Sequence, residues 1–335
     1  MVFRGPRAKR AFPLLRAALL SVAGLLLLVP SARGQRLSFE HLTGSDGLSH
    51  AHVQAIVQDH LGFMWIGTYG GGLNRYDGYG FVVYEHDPAD LTTLPNNNIH
   101  TIYEDREGTL WVGTWVGMSR YDRERDLFQN WTATDTSSGV LGAGASGFAE
   151  DDEGNLWIAT TRGLNKYDRN TGRFEQWVHD PADPRSIAGT RVRDIVIDDR
   201  GRSWIGTSNG LSMHLAGASG FVNFRHDPAE PRSLPHDEVM ELEIDRHGFL
   251  WIATWGGGVA RLDLNAIERG FDRFQHDPND AGSLSIDRVL SLLQDRSGRM
   301  WVGTENGGLD RFDYETGTFI HTRANPDDSG SLSHD

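Results

Sequence analysis

The stretch Asp59-His60-Leu61-Gly62-Phe63-Met64-Trp65-Ile66-Gly67-Thr68 decides the fold, because five more copies of it follow, at 105–114, 151–160, 198–207, 245–254 and 295–304. Every copy places an Asp six residues before its Trp and a Gly three after that Asp. The tryptophans Trp65, Trp111, Trp157, Trp204, Trp251 and Trp301 lie 46, 46, 47, 47 and 50 residues apart. A fixed period of this size marks a repeat architecture and outranks any single-residue motif.

Working outward in the second copy, residues 99–105 alternate apolar and polar and end in Asp-Arg-Glu-Gly, which reads as a strand entering a tight turn. Residues 110–114, 118–122 and 127–132 read as second, third and fourth strands. Four short antiparallel strands per repeat, with no helical periodicity, describe a propeller blade; an α-solenoid would need i, i+3, i+4 spacing. The expected fold is therefore all-β, a β-propeller of four-stranded antiparallel blades with six repeats present. Trp65 and Gly67, two apart, project on one strand face. The ring is expected to stack on the adjacent blade, and the small residue to leave room for that blade's own ring. Gly or Ala fills this place every time, at Gly67, Gly113, Ala159, Gly206, Ala253 and Gly303. The Asp is expected to accept backbone N–H groups of the turn, and the following Gly to take φ > 0.

Pro- and Asp-rich linkers beginning His86-Asp-Pro, His179-Asp-Pro, His226-Asp-Pro and His276-Asp-Pro join the blades; the third linker, 132–147, is Ser/Gly/Ala-rich and is expected to be the loosest. Residues 37–41 read as an outer fourth strand with no partners ahead of them, and 325–335 as a linker with no blade behind it. Together they predict a split seventh blade whose remaining strands, about 35 residues by the repeat length, follow residue 335. Propellers hide their edges by such a closure.

Residues 1–34 read as a secretory signal. Arg4, Arg7, Lys9, Arg10 and Arg16 precede the short apolar run 17–29, and Ala32-Arg33-Gly34 offers a small-x-small cleavage site. The run is too short to span a bilayer comfortably, so residues 35–335 are expected to be an exported propeller domain. The chain has no cysteine, which excludes disulfides and Cys-based metal or redox sites. Without the signal it carries 26 basic and 46 acidic residues, a balance that disfavours nucleic acid and anionic membrane as partners.

The pattern of 56–77, Ile-x-x-Asp-x-x-Gly-x-x-Trp-Ile-Gly-Thr-x-x-Gly-Gly-Leu-Asn-Arg-Tyr-Asp, resembles the two-component regulator propeller repeat. The resemblance covers 37–335 and implies a periplasmic sensor region with seven-bladed propellers. In such proteins an immunoglobulin-like module, a membrane span and an intracellular output usually follow, commonly a histidine kinase and sometimes a diguanylate cyclase or a DNA-binding regulator. It also suggests an oligosaccharide or other small ligand, and a homodimer in the full receptor, with membrane attachment only through a segment beyond this chain.

In a propeller the blade linkers and the loops between second and third strands share one face, where ligands sit over the central channel. Tyr69, Trp115 and Trp255 stand on those loops, outside the repeating Trp series, and an aromatic face can stack on a sugar ring. The channel rim is expected from His52, Asn98, Gly144, Arg191, Glu238 and Arg288, which vary where the rest of the repeat is uniform. No metal or cofactor is expected. The turn aspartates read as caps, 151–154 lacks the spacing of a calcium loop, and no zinc signature or nucleophile elbow occurs. Two rival readings remain. One is an enzyme of the streptogramin-lyase type, for which His52 and Glu238 are the available pair; the other is a scaffold for protein partners. Residues 167–177 resemble a quinoprotein docking motif in one repeat alone, where Thr171-Gly172 is a natural turn.

Overall fold

The computed structural model describes residues 37–132, 139 and 142–335. The expected signal, and half of the linker expected to be loosest, lie outside the described residues. Residues 39–335 form one compact unit. Its first blade comprises β1 (Val53–Gln58), β2 (Met64–Thr68), β3 (Leu73–Tyr76) and β4 (Phe81–Tyr84), joined as consecutive antiparallel neighbours. Five more four-stranded sheets repeat this order over 99–132, 145–177, 192–224, 239–274 and 289–322. Short 3-10 turns at Gly44–Asp46 and Ile267–Arg269 are the helical elements among the described residues. The fold is the all-β propeller that the period predicts, with six complete blades. In blade 2 the strands run Ile99–Glu104, Leu110–Thr114, Gly117–Asp122 and Leu127–Thr132, within a residue of expectation.

One Asp per blade does more than cap its turn. Asp59 Oδ1 accepts the backbone N–H groups of Leu61 and Phe63, and Gly62 takes φ 94°. Its other oxygen accepts the Trp65 indole N–H at 2.8 Å. The same bond recurs from Trp111, Trp157, Trp204, Trp251 and Trp301 to their own aspartates at 2.7–3.0 Å. A buried indole N–H needs a partner, and the six-residue offset supplies one. Trp65 then stacks on Tyr84 of its own blade and meets Tyr121 of the next edge-on, 5.2 Å between centroids.

The small residue after the Trp serves a purpose other than the one expected. A Cβ on Gly67 would lie 2.6 Å from Ile99 Cγ2, and one on Gly206 would lie 2.6 Å from Val239 Cγ1. The space admits the aliphatic residue that opens the next blade's inner strand, and not that blade's ring. At Gly113 the obstacle is backbone, the Ala145 carbonyl oxygen at 2.5 Å. Gly113→Ala is therefore expected to cost about 1–3 kcal/mol, because a carbonyl in a packed sheet cannot step aside. Gly303→Ala meets mainly the tip of the Ser291 side chain and is expected to stay within about 0.5 kcal/mol of wild type. Urea midpoints of the two variants check the contrast.

Inner strands of successive blades pack side by side from blade 1 to blade 6, but those of blades 6 and 1 lack this close packing. Ile56 on β1 is 58% exposed, whereas its counterparts Ile102, Phe148, Ile195, Leu242 and Leu292 are buried. Leu293 on blade 6 is likewise exposed. Arg296 reaches Gln58 across this seam at 3.0 Å. At its outer edge Phe39 N–H donates to Gly330 O at 2.9 Å. That bond repeats the ones from Phe128, Phe221, Phe271 and Phe319, each on or at the start of a fourth strand, to Thr92, Arg185, Arg232 and Gly282 in the preceding linker.

Candidate functional site

One backbone bond per blade joins the expected rim residue to the loop between the second and third strands. The carbonyls of His52, Asn98, Gly144, Arg191, Glu238 and Arg288 accept the N–H groups of Tyr69, Trp115, Thr161, Ser208, Trp255 and Glu305 at 2.9–3.3 Å. Each rim residue is thereby fixed beside the first residue of its blade's second-to-third loop, so two sets of residues far apart in sequence share one surface.

On blades 1 and 2 these pairs form a continuous aromatic run. His52 stacks on Tyr69 at 5.4 Å, Tyr69 meets Trp115 edge-on at 5.2 Å, and Trp115 stacks on His100 at 5.7 Å. Tyr69 and Trp115 are 39% and 42% exposed, so the run presents ring faces to solvent. Beside it, two buried acceptors, Asn98 Oδ1 and Gln54 Oε1, have no hydrogen-bond partner. A buried carbonyl left unpaired costs about 1–3 kcal/mol. Blades 4 and 5 supply charge: Arg193 pairs with Glu238, and Arg191 lies near enough to act on its neighbours. Burial, reinforced by Arg191 and Arg193, pushes His100 down to about 4, so its ring is neutral at physiological pH. Burial, again with Arg193 nearby, also lowers Arg191. Trp255 stands apart from the aromatic run, under the Arg288 guanidinium at 5.7 Å, and Arg288 is paired with Glu305 at 2.9 Å.

His52 and Glu238, the pair an elimination reaction would require, are engaged separately, His52 on Tyr69 and Glu238 on Arg193. The linker histidines are structural: Nδ1 of His86, His179, His226 and His276 bonds the carbonyl eight residues on, at 2.7–2.8 Å. Among the described residues no group of His, Asp and Glu is arranged to hold a metal ion.

Sequence reading missed Gln54, His100 and Arg193. All six inner strands carry a register irregularity at this point, as between Val53 and Ala55 or between Ile99 and Thr101. The extra residue is Gln54, His100, Ser146, Arg193, Met240 or Leu290. Bulges of this kind re-aim a side chain beside a site. The residues vary too much in type to announce a bulge, but each stands two beyond a rim residue, and that spacing was the available signal.

The model of the two component regulator propeller family matches residues 47–70, 93–116 and 283–306, each spanning an inner strand, its Asp turn and the Trp strand. A 63-residue stretch is 40% identical to histidine kinase P4 of Formosa agariphila, covering 19% of this chain and 4% of that protein. Among solved structures, the extracellular domain of a protein described as a hybrid two component system from B. thetaiotaomicron aligns with TM-score 0.58 and 24% identity. That alignment covers 89% of this chain and 44% of the other, so the chain spans less than half of that relative. Virginiamycin B lyase from Staphylococcus aureus aligns with TM-score 0.58, 14% identity and coverage of 80% and 83%, a likeness of fold alone. Among the described residues no helix is long and apolar enough to cross a membrane. The two-component regulator propeller model thus matches three blades, and the same Asp-to-Trp spacing runs through all six, so the chain carries repeats of that kind.

Proposed function

We propose that this chain is the exported, non-catalytic sensing region of a signal-transduction receptor, held in the periplasm, which binds an oligosaccharide or similar polyhydroxylated ligand at the channel mouth. The observation that carries this reading is the run His52–Tyr69–Trp115–His100, with Tyr69 and Trp115 partly exposed, beside the unpartnered acceptors Asn98 Oδ1 and Gln54 Oε1. Stacking faces next to buried acceptors fit a ring that is apolar on its faces and donates hydroxyls at its edge. Arg191, Glu238, Arg288 and Trp255 form the opposite, charged side of the same rim and tune which substituents are admitted. The open seam belongs to this proposal. A seventh blade, with 37–41 as its outer strand and the rest encoded after residue 335, would cover Ile56 and Leu293, and a change in ring packing on binding would pass to an output domain and, in the full receptor, to a homodimer.

Calorimetry against a panel of neutral oligosaccharides tests the mouth. Tyr69→Ala and Trp115→Ala are each expected to weaken binding about tenfold, the worth of one stacking face, without lowering the melting temperature. Unchanged affinity in both variants would sink the aromatic platform.

A further inference from the structure

Besides the Trp indole, the outer oxygen of three of the six turn aspartates meets a side chain from the next blade. Asp59 pairs with Arg123 of blade 2 at 2.9 Å, and that guanidinium also lies 2.9 Å from Glu104 and 6.0 Å from the Trp65 ring. Asp105 pairs with Arg169 of blade 3 at 2.9 Å, 5.8 Å from the Trp111 ring. Asp245 accepts the Tyr314 hydroxyl of blade 6 at 2.9 Å. Each donor directly follows the Asp that closes a third strand, as in Asp122-Arg123, Asp168-Arg169 and Asp313-Tyr314.

Blades 4 and 5 break the rule: in blade 5 Leu264 stands in the donor's place, and Asp198 pairs with Arg202 of its own blade at 2.6 Å. In blade 4 the change goes further. The corresponding pair is Leu215-Ala216, with Gly217-Ala218 behind it, and Ala216 has nothing to offer Asp151. Lys166 of blade 3 turns to Asp151 instead, at 2.9 Å. The third strand changes as well: where blades 2 and 3 carry Tyr121 and Tyr167, blade 4 carries the smaller His214. A cavity of about 720 Å³ opens between blades 3 and 4 where these groups are lacking. Trp157 and Trp177, stacked at 5.1 Å and 6° apart in plane, line it, with His214 5.7 Å from Trp157. Asp152, Glu153, Glu175 and Asp199 reach it with Lys166 and Arg200, leaving an excess of negative charge.

We propose that this cavity is a second binding site, for a guanidinium-bearing ligand such as an arginine side chain. The molecule supplies its own precedent, because the equivalent places in the two preceding seams hold a guanidinium between a carboxylate and an indole. The chemistry fits as well: a planar, weakly hydrated cation gains from an aromatic face and from carboxylates together. In this seam Lys166 takes the corner between Asp151 and the Trp157 ring, at 2.9 and 5.2 Å, and leaves the rest of the cavity, with the carboxylates Glu175 and Asp199, to the guest.

The site shares no residue with the channel mouth, so its test is independent of the oligosaccharide reading. Calorimetry of the full chain with L-arginine amide is expected to show saturable binding with a Kd on the order of millimolar, as suits so small a ligand. L-citrulline amide, equal in shape but uncharged, is expected to bind at least about tenfold more weakly. Ala216→Arg, which rebuilds the missing contact from within, is expected to fill the site and abolish binding while melting cooperatively. Should that variant fail to fold, the double variant Glu175→Gln/Asp199→Asn, altered at exposed positions, is expected to weaken binding several-fold. The proposal is overturned if arginine amide does not saturate, if citrulline amide binds equally well, or if a folded Ala216→Arg or the double variant keeps wild-type affinity.

Discussion

Replacing Asp105 by alanine is expected to remove about 3–5 kcal/mol of stability, more than any other single change considered for this propeller. The Asp105 side chain is wholly buried, and three hydrogen-bond donors and a guanidinium converge on it. Oδ1 accepts the backbone N–H groups of Glu107 and Thr109 at 3.0 and 2.8 Å, and Oδ2 accepts the Trp111 indole at 2.7 Å. The Arg169 guanidinium of blade 3 completes the set. Alanine would strand a buried indole N–H and two turn amides, and would leave the Arg169 guanidinium with only the more distant Glu107 and Glu150, at 3.6 and 3.9 Å. Any one unpaired buried donor costs about 1–3 kcal/mol, and a charge deprived of its partner costs more. Asparagine rescues only half of this, since its amide can accept the turn N–H groups but sets an NH₂ against the indole or the guanidinium. The expected order of urea midpoints is wild type, then Asp105→Asn, then Asp105→Ala. Adding Arg169→Ala to Asp105→Ala is expected to restore part of the loss, because it removes a cation that has lost its nearest carboxylate. Equal midpoints for wild type and Asp105→Ala would show that the Asp is only a turn former, as its sequence context alone suggests.

That contrast marks how far the sequence could be read. The Asp-to-Gly turn and the strands around it are encoded within ten residues, so spacing, alternation and a glycine able to take φ > 0 announce them. The six-residue offset to the Trp was visible too, but its reason was not, because it lies in the bond between carboxylate and indole. Contacts between blades were harder. Asp59 meets Arg123 and Asp245 meets Tyr314 across 64 and 69 residues, and one chain offers no covariation to link them. Gly67 was legible as a site of close approach, yet what approaches is Ile99 and not a ring. At the channel mouth, Tyr69, Trp115, His52 and Asn98 could be nominated from their place in the repeat. Their bulged neighbours Gln54, His100 and Arg193 could not, because a bulge is a property of pairing register and leaves little trace in one strand.

Between blades 4, 5 and 6 the inner strands carry carboxylates where the other blades have uncharged residues, and these make the propeller's stability depend on pH. Asp194 Oδ2 accepts the Leu242 N–H at 2.9 Å, Glu241 Oε2 the Leu292 N–H at 2.6 Å, and Glu243 Oε1 the Gln294 N–H at 3.2 Å. Each acid thus ties its blade to the backbone of the next. Burial raises all three, most firmly for Glu241, where the Asp194 charge adds to it; burial, with Asp194 and Asp245 nearby, pushes Glu243 up to about 7. The unfolded chain releases these protons in the ordinary carboxylate range, whereas the folded chain keeps them to higher pH. Between those limits the folded state binds more protons, so stability must fall as pH rises. The contribution is fully present below about pH 4 and is lost through about 7 for Glu243. Glutamine keeps an acceptor for the Leu292 or Gln294 N–H but cannot ionise. Glu241→Gln and Glu243→Gln are therefore expected to melt with wild type at pH 4 and above it at pH 8, by about 5 °C, with Glu241→Gln showing the wider gap. A gap that stays constant across this range would mean that the acids are hydrated and already ionised, and that the three blades are held together by their backbone bonds and apolar contacts alone.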